Sequence, residues 1–190
     1  VSGEVFGTTY SIQYHSEDNL NFEVQFDSLF YVINKSMSTY QSNSIISKLN
    51  RNEPVLVDAH FLKVLEASHE IYEETEGAFD PAIGVLVNAW DFGPEGKIES
   101  LDSLKIDSLM QYVGFNKVYR INNSVLKPEG SFLDFNAIAK GYAVDVIAEY
   151  LESQNIENYL VEIGGELRVK GLNSEKGSDW VVGVESPRFD

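Results

Sequence analysis

Asp134 and Lys140 flank an expected strand-to-helix junction in the string Asp134-Phe135-Asn136-Ala137-Ile138-Ala139-Lys140-Gly141-Tyr142. Asp134 closes a short strand, and a helix starts within three residues. Lys140 then falls in the first helical turn, where the macrodipole disfavours a cation. A cation placed against that rule suits a phosphate, and the aspartate suits a ribose, a ring nitrogen or a metal. An aspartate cap followed by a solvated lysine explains the same string. Three other segments carry polar groups at structural junctions. Gly77-Ala78-Phe79-Asp80-Pro81 places an aspartate and a proline at an expected helix start, where free N–H groups hold anions or simply receive a cap. Ser38-Thr39-Tyr40-Gln41 is polar, and no periodicity assigns its tyrosine to a core. It is either part of a site or a helix-linking turn with a cap. In Glu162-Ile163-Gly164-Gly165-Glu166 the paired glycines read first as a tight turn or bulge.

Composition limits the chemistry. The chain has 190 residues, 43% of them hydrophobic, with 11 Phe and 10 Tyr, enough for a core in one domain of ordinary size. Fourteen Lys and Arg stand against 30 Asp and Glu, a formal charge of −16. That field repels a nucleic-acid backbone or an anionic membrane surface. With no cysteine, disulfides, thiolate nucleophiles and Cys-based zinc sites are excluded. The three histidines, at 15, 60 and 69, are scattered, so a three-His metal site is not expected. There is no G-x-G-x-x-G with an acidic follower, no P-loop and no H-E-x-x-H. No apolar run approaches the length that crosses a bilayer.

The elements that must position these residues follow from pattern. Val5 to Tyr14 reads as a strand, and Phe22, Phe26, Leu29 and Ile33 recur at helical spacing. A longer helix spans about Ala59 to Glu76, capped by Asp58 and ended by Gly77. Asp80-Pro81 opens a short helix to about Trp90, a loop covers 91–100, and a helix runs from Ser103 to Val113, closed by Gly114. Lys117–Ile121 and Val125–Lys127 form a hairpin across Asn122-Asn123. A short strand at Phe132-Leu133 leads to a helix over Ala137–Ser153 with the face Ala139, Tyr142, Ala143, Val146, Ile147 and Tyr150. Strands follow at Tyr159–Ile163, Glu166–Lys170 and Trp180–Val184. Without strict alternation, the mixture is α+β.

In order along the chain come Phe6-Gly7-Thr8-Thr9-Tyr10, Met37-Ser38-Thr39-Tyr40, Gly77-Ala78-Phe79-Asp80-Pro81-Ala82-Ile83-Gly84-Val85-Leu86-Val87-Asn88-Ala89-Trp90-Asp91-Phe92-Gly93-Pro94, Asp134 to Asp145, and Tyr159 to Leu167. Together they resemble the FAD:protein FMN transferase, or ApbE-like, family. The resemblance implies an α+β, T-fold-like architecture of mainly antiparallel sheet packed with helices, as one domain over 1–190 that is incomplete at its C-terminus. It implies FAD contacts at Phe6, Tyr40, Ala78, Phe79, Asp80, Asp134 and Lys140, and Mg²⁺ on the backbone oxygen of Ala137. Phe6 stands where the family usually has Met. The implied activity moves FMN from FAD onto a threonine of an acceptor protein and releases AMP, with Mg²⁺ assisting. FAD hydrolysis to FMN and AMP, or a non-catalytic flavin-binding module, are the alternatives. The family's His and Asp motifs lie past the position of Asp190, so the catalytic residues are expected beyond it. The resemblance also implies an exported bacterial protein, periplasmic or attached to the cell membrane only through a lipid anchor outside this chain.

Overall fold

The β-forming run at the N-terminus folds as a hairpin, not as the one strand expected over Val5–Tyr14. In the computed structural model, which describes residues 1–16, 18 and 20–184, β1 (Ser2–Val5) and β2 (Thr8–Tyr14) pair antiparallel with Val5 opposite Thr8. The two-residue loop has Phe6 at φ +53° and Gly7 at φ +75°. Positive φ at both loop positions matches the twist of the flanking strands. Phenylalanine rarely adopts it, so the turn carries none of the usual Asn-Gly signature.

The helical spacing of Phe22, Phe26 and Ile33 gives α1 (Glu23–Met37). A short α2 (Ile45–Asn50) was not expected; the Ser44 hydroxyl caps it by accepting from the Ser47 N–H at 3.1 Å. Helix α3 (Ala59–Glu74) starts where expected, with Asp58 Oδ1 accepting from the Phe61 N–H at 2.8 Å, and the chain leaves it through Gly77 at φ +82°. Helix α4 (Gly84–Ala89) begins four residues after Asp80, so Asp80 is not its cap. That carboxylate accepts instead from Ala82 N–H at 2.8 Å and, across the fold, from Phe115 N–H at 3.2 Å. Gly84 lies against Phe132, to whose carbonyl its N–H donates. A Cβ on Gly84 would stand 2.6 Å from that carbonyl oxygen, so the close approach needs glycine. Helix α5 (Ser103–Met110) stops three residues short of Val113; Gly114, at φ +128°, then leads into a 3₁₀ turn at Phe115–Lys117.

Strands β3 (Tyr119–Ile121) and β4 (Ser124–Leu126) form the hairpin expected across Asn122-Asn123. Phe132 makes only an isolated parallel bridge to Ile83, not a strand. Helix α6 (Asn136–Ser153) precedes β5 (Tyr159–Ile163) and β6 (Glu166–Lys170), as the pattern requires. Gly164 and Gly165, both at positive φ, form the tight turn between these strands. Trp180–Val184 forms no strand: the Trp180 indole donates to the Lys170 carbonyl, and Val181 and Val184 are exposed.

The main sheet is antiparallel, in the order β1-β2-β5-β6. Helix α6 packs on β5 and β6, and α1 and α3 pack on α6. The core between them holds Tyr10 and Ile12 of β2, Val161 and Ile163 of β5, Ala143, Ile147 and Leu151 of α6, Phe26, Phe30 and Ile33 of α1, and Phe61 and Leu65 of α3. The buried face of α6 includes Val144, Ala148 and Leu151 beyond the expected residues, whereas Ala139, Tyr142 and Tyr150 are only partly covered. The fold is thus the mixed helix and antiparallel-sheet class read from the sequence.

Candidate functional site

A cleft of about 660 Å³ opens where four junctions meet. The β1–β2 turn contributes Phe6 and Gly7. The end of α1 and its exit contribute Met37, Ser38, Tyr40 and Gln41, the loop after α4 contributes Phe92, and the first turns of α6 contribute Asn136, Ala139 and Lys140. Its volume suits a mostly apolar small-molecule site with a few placed polar groups. Each wall is fixed from behind. Phe6 packs edge-on against Phe30, with ring centroids 5.7 Å apart. The exit of α1 is held by Ser38, whose carbonyl accepts from the Ser44 hydroxyl at 2.7 Å. The Tyr40 hydroxyl donates to the Phe92 carbonyl at 3.0 Å, joining two walls across 52 residues of chain.

Lys140 is the cation of the cleft. Its ammonium pairs with Glu166 Oε1 at 3.2 Å, so the turn-adjacent end of β6 holds it in place. The second oxygen of Glu166 is buried and has no hydrogen-bond partner among the described residues. The pair is partly exposed, so its own contribution to stability is small.

Asp134 and Asp80 form a second group beside the first. The Asp134 N–H donates to the Pro81 carbonyl at 2.8 Å, which sets residues 80–84 alongside 132–134. Asn136 links the groups: it lines the cleft, while its N–H and Nδ2 donate to the two Asp134 carboxylate oxygens at 2.7 and 3.1 Å. Burial pushes the Asp134 carboxyl above its ordinary range, and the bonds from Asn136 oppose that rise. A carboxyl raised in the folded state costs stability once pH climbs through its unfolded value toward its folded one. Asp134→Asn is therefore expected to raise the melting temperature of the unliganded protein at neutral pH. The gain should vanish below about pH 4, where the acid is protonated in both states. Melting curves across that range check it; an equal gain at acid pH would assign the effect to something other than the charge.

Of the residues singled out from sequence, Phe6, Tyr40 and Lys140 line the cleft, and Asp134 meets it through Asn136. Ala78, Phe79, Asp80 and Ala137 do not line it. The helix start with free N–H groups expected at Asp80-Pro81 is corrected: Ala82 N–H donates to Asp80 Oδ1, Ile83 N–H to the Asp80 carbonyl and Gly84 N–H to the Phe132 carbonyl, while Ala78 and Phe79 donate to the Thr75 carbonyl and hydroxyl. Sequence reasoning quoted Phe92, Asn136 and Glu166 within its motif strings but gave none of them a role in the site. An aromatic in the Gly- and Pro-bearing stretch 91–100 was the available signal for Phe92. The histidines are dispersed. His60 Nδ1 meets the Tyr142 hydroxyl at 2.7 Å, and His69 stacks on Phe115 with centroids 4.4 Å apart. Burial holds the Tyr142 phenol up at about 12, so it stays protonated at neutral pH. Among the described residues no three His, Asp or Glu gather as a metal-binding group.

Comparison with known proteins adds an independent line. Residues 6–190 match the ApbE family. The chain is 38% identical to the FAD:protein FMN transferase of Vibrio cholerae, matching 100% of this chain and 59% of that protein. It is 35% identical to the one of Haemophilus influenzae, over 98% of this chain and 58% of that protein. It thus spans less than two thirds of the length of these relatives. The solved flavin transferase ApbE of Vibrio cholerae superposes with a TM-score of 0.91 at 37% identity, over 98% of this chain and 63% of that one. The apo flavinyl transferase ApbE of Pseudomonas stutzeri gives 0.88 at 30% identity, over 97% of this chain and 64% of that one.

Proposed function

The chain belongs to the ApbE family, and we propose that this protein transfers the FMN half of FAD to a threonine hydroxyl of an acceptor protein, releasing AMP, with residues 1–190 forming part of one transferase domain. The observation that carries the reading is the cleft of about 660 Å³ that gathers Phe6, Tyr40 and Lys140 from far-apart positions. It has apolar and aromatic walls for a flavin or adenine ring, and one ammonium for the linking phosphates. Phe6 and Tyr40 would bind rings, Lys140 would neutralise pyrophosphate charge, and Asp134, held by Asn136, would accept from a ribose hydroxyl or ring N–H. Ala78, Phe79 and Asp80 would support this wall through Pro81 and Asp134 rather than from within the cleft.

In the transfer, the threonine oxygen bonds to the FMN-side phosphorus and the bridging P–O bond breaks. AMP leaves with the bridging oxygen, and the hydroxyl proton passes to a base. Such a step needs in-line positioning and charge neutralisation more than covalent help. Magnesium would supply neutralisation, but the described residues do not fit it by themselves. Ala137 offers one backbone oxygen, where Mg²⁺ needs near-octahedral coordination.

The test is incubation with FAD, with and without an acceptor protein bearing an exposed threonine. Transfer predicts AMP in equal amount to covalently bound flavin on the acceptor. AMP with free FMN, unchanged by acceptor, would replace transfer by hydrolysis. FAD binding with no AMP under any condition would leave a flavin-binding module.

A further inference from the structure

We infer that Phe92 is a stacking platform for a planar heteroaromatic ring of the ligand, an inference that rests on the FAD reading above. An exposed phenyl is unremarkable alone. This one is 75% exposed while forming a wall of the cleft, and the backbone around it is held on every side. Its N–H donates to the Val87 carbonyl at 3.0 Å, and its own carbonyl receives the Tyr40 hydroxyl at 3.0 Å. The residue before it, Asp91, sits at φ +68°, in the left-handed region that aspartate tolerates in tight turns. The residue after it, Gly93, lies so close to the buried Asn88 that a Cβ there would fall 1.8 Å from Asn88 Oδ1. Asn88 in turn donates to Glu95 at 3.2 Å and closes the loop.

The loop therefore holds an aromatic ring at the cleft, and the described residues leave Phe92 mostly uncovered. A fixed aromatic face gains most from a flat partner, because stacking depends on ring contact and is insensitive to ring identity. FAD brings two such partners, the isoalloxazine and the adenine, and the shared chemistry is a planar heterocycle. Since the side chain is mostly in solvent, removing its ring leaves the folded protein intact, which separates a ligand contact from a packing residue.

The test is titration of wild type, Phe92→Leu and Phe92→Tyr with FAD, riboflavin and AMP, together with melting curves of the unliganded proteins. Phe92→Leu is expected to bind FAD about 10-fold more weakly at an unchanged melting temperature, and Phe92→Tyr to restore binding. The weakening should appear with riboflavin if the flavin ring stacks, or with AMP if the adenine does. Leucine binding FAD as tightly as phenylalanine overturns the inference, as does tyrosine failing to rescue. Should wild type bind riboflavin or AMP but not FAD, the transferase reading fails while the stacking is still judged by the leucine variant on that ring. Binding of none of the three overturns both.

Discussion

Replacing Lys140 with alanine is expected to weaken FAD binding roughly 10- to 100-fold and to leave riboflavin binding within about 2-fold, because a hydrogen bond to a charged group contributes about 1.5–3 kcal/mol. Lys140 is the cation lining the cleft, and Glu166 holds it 3.2 Å away from the other side. The variant removes the attraction for pyrophosphate and also strips Glu166 of its counter-ion. Glu166 already has one buried oxygen without a hydrogen-bond partner among the described residues, so its carboxylate is left uncompensated beside the cleft, where the ligand is negative too. In a chain of formal charge −16, no general positive field compensates. Lys140→Arg keeps the charge and should retain most of the affinity. Salt gives a second check: screening weakens exposed charge pairs, so wild-type affinity should fall with added salt more steeply than that of the alanine variant. If Lys140→Ala binds FAD within 2-fold of wild type, the lysine does not meet the phosphates.

What could be read from the sequence divides by distance along the chain. Asp58 and Gly77 bracket α3 through bonds made within a few residues, and Asn122-Asn123 turns β3 into β4 by local geometry alone. These were legible because the deciding partner is nearby. Asp80 looked like a helix cap for the same local reason, yet its carboxylate accepts from Ala82 N–H two residues on and from Phe115 N–H 35 residues away, and the helix starts only at Gly84. Phe6 adopts positive φ because β1 and β2 pair around it, which no propensity for phenylalanine signals. Trp180–Val184 has the composition of a strand but pairs with no strand among the described residues. The site divides in the same way. Family motifs pointed to Tyr40 and Lys140, which converge on the cleft. Phe92 and Glu166 stand in the same motifs, but their contacts with Tyr40 and Lys140 arise from a loop and a strand start that only the fold positions.

Phe135→Ala should cost about 3–5 kcal/mol, the usual loss for deleting a buried phenyl. In a chain of this size that lowers the melting temperature by roughly 6–20 °C. Phe135 is fully buried and packs edge-on to Phe61 of α3 with centroids 5.2 Å apart. It is also the hinge between the two halves of the site. Its carbonyl accepts the first N–H groups of α6, from Ile138 and Ala139, and its neighbours are Asp134 and Asn136. The ring therefore anchors the turn that aims one residue at Asp134's wall and the other into the cleft. Losing it should loosen FAD binding even at temperatures where the variant is folded, whereas an equally buried residue far from the site, such as Leu151, should cost stability alone. Phe61→Ala removes the same contact from the other side, so the double variant should lose less than the sum of the two, by at least about 0.5 kcal/mol. A fall of less than 3 °C for Phe135→Ala, or strict additivity with Phe61→Ala, would show that the two rings do not act as a pair. Loss of stability without loss of FAD affinity would show that the turn is held by its hydrogen bonds rather than by the ring beneath it.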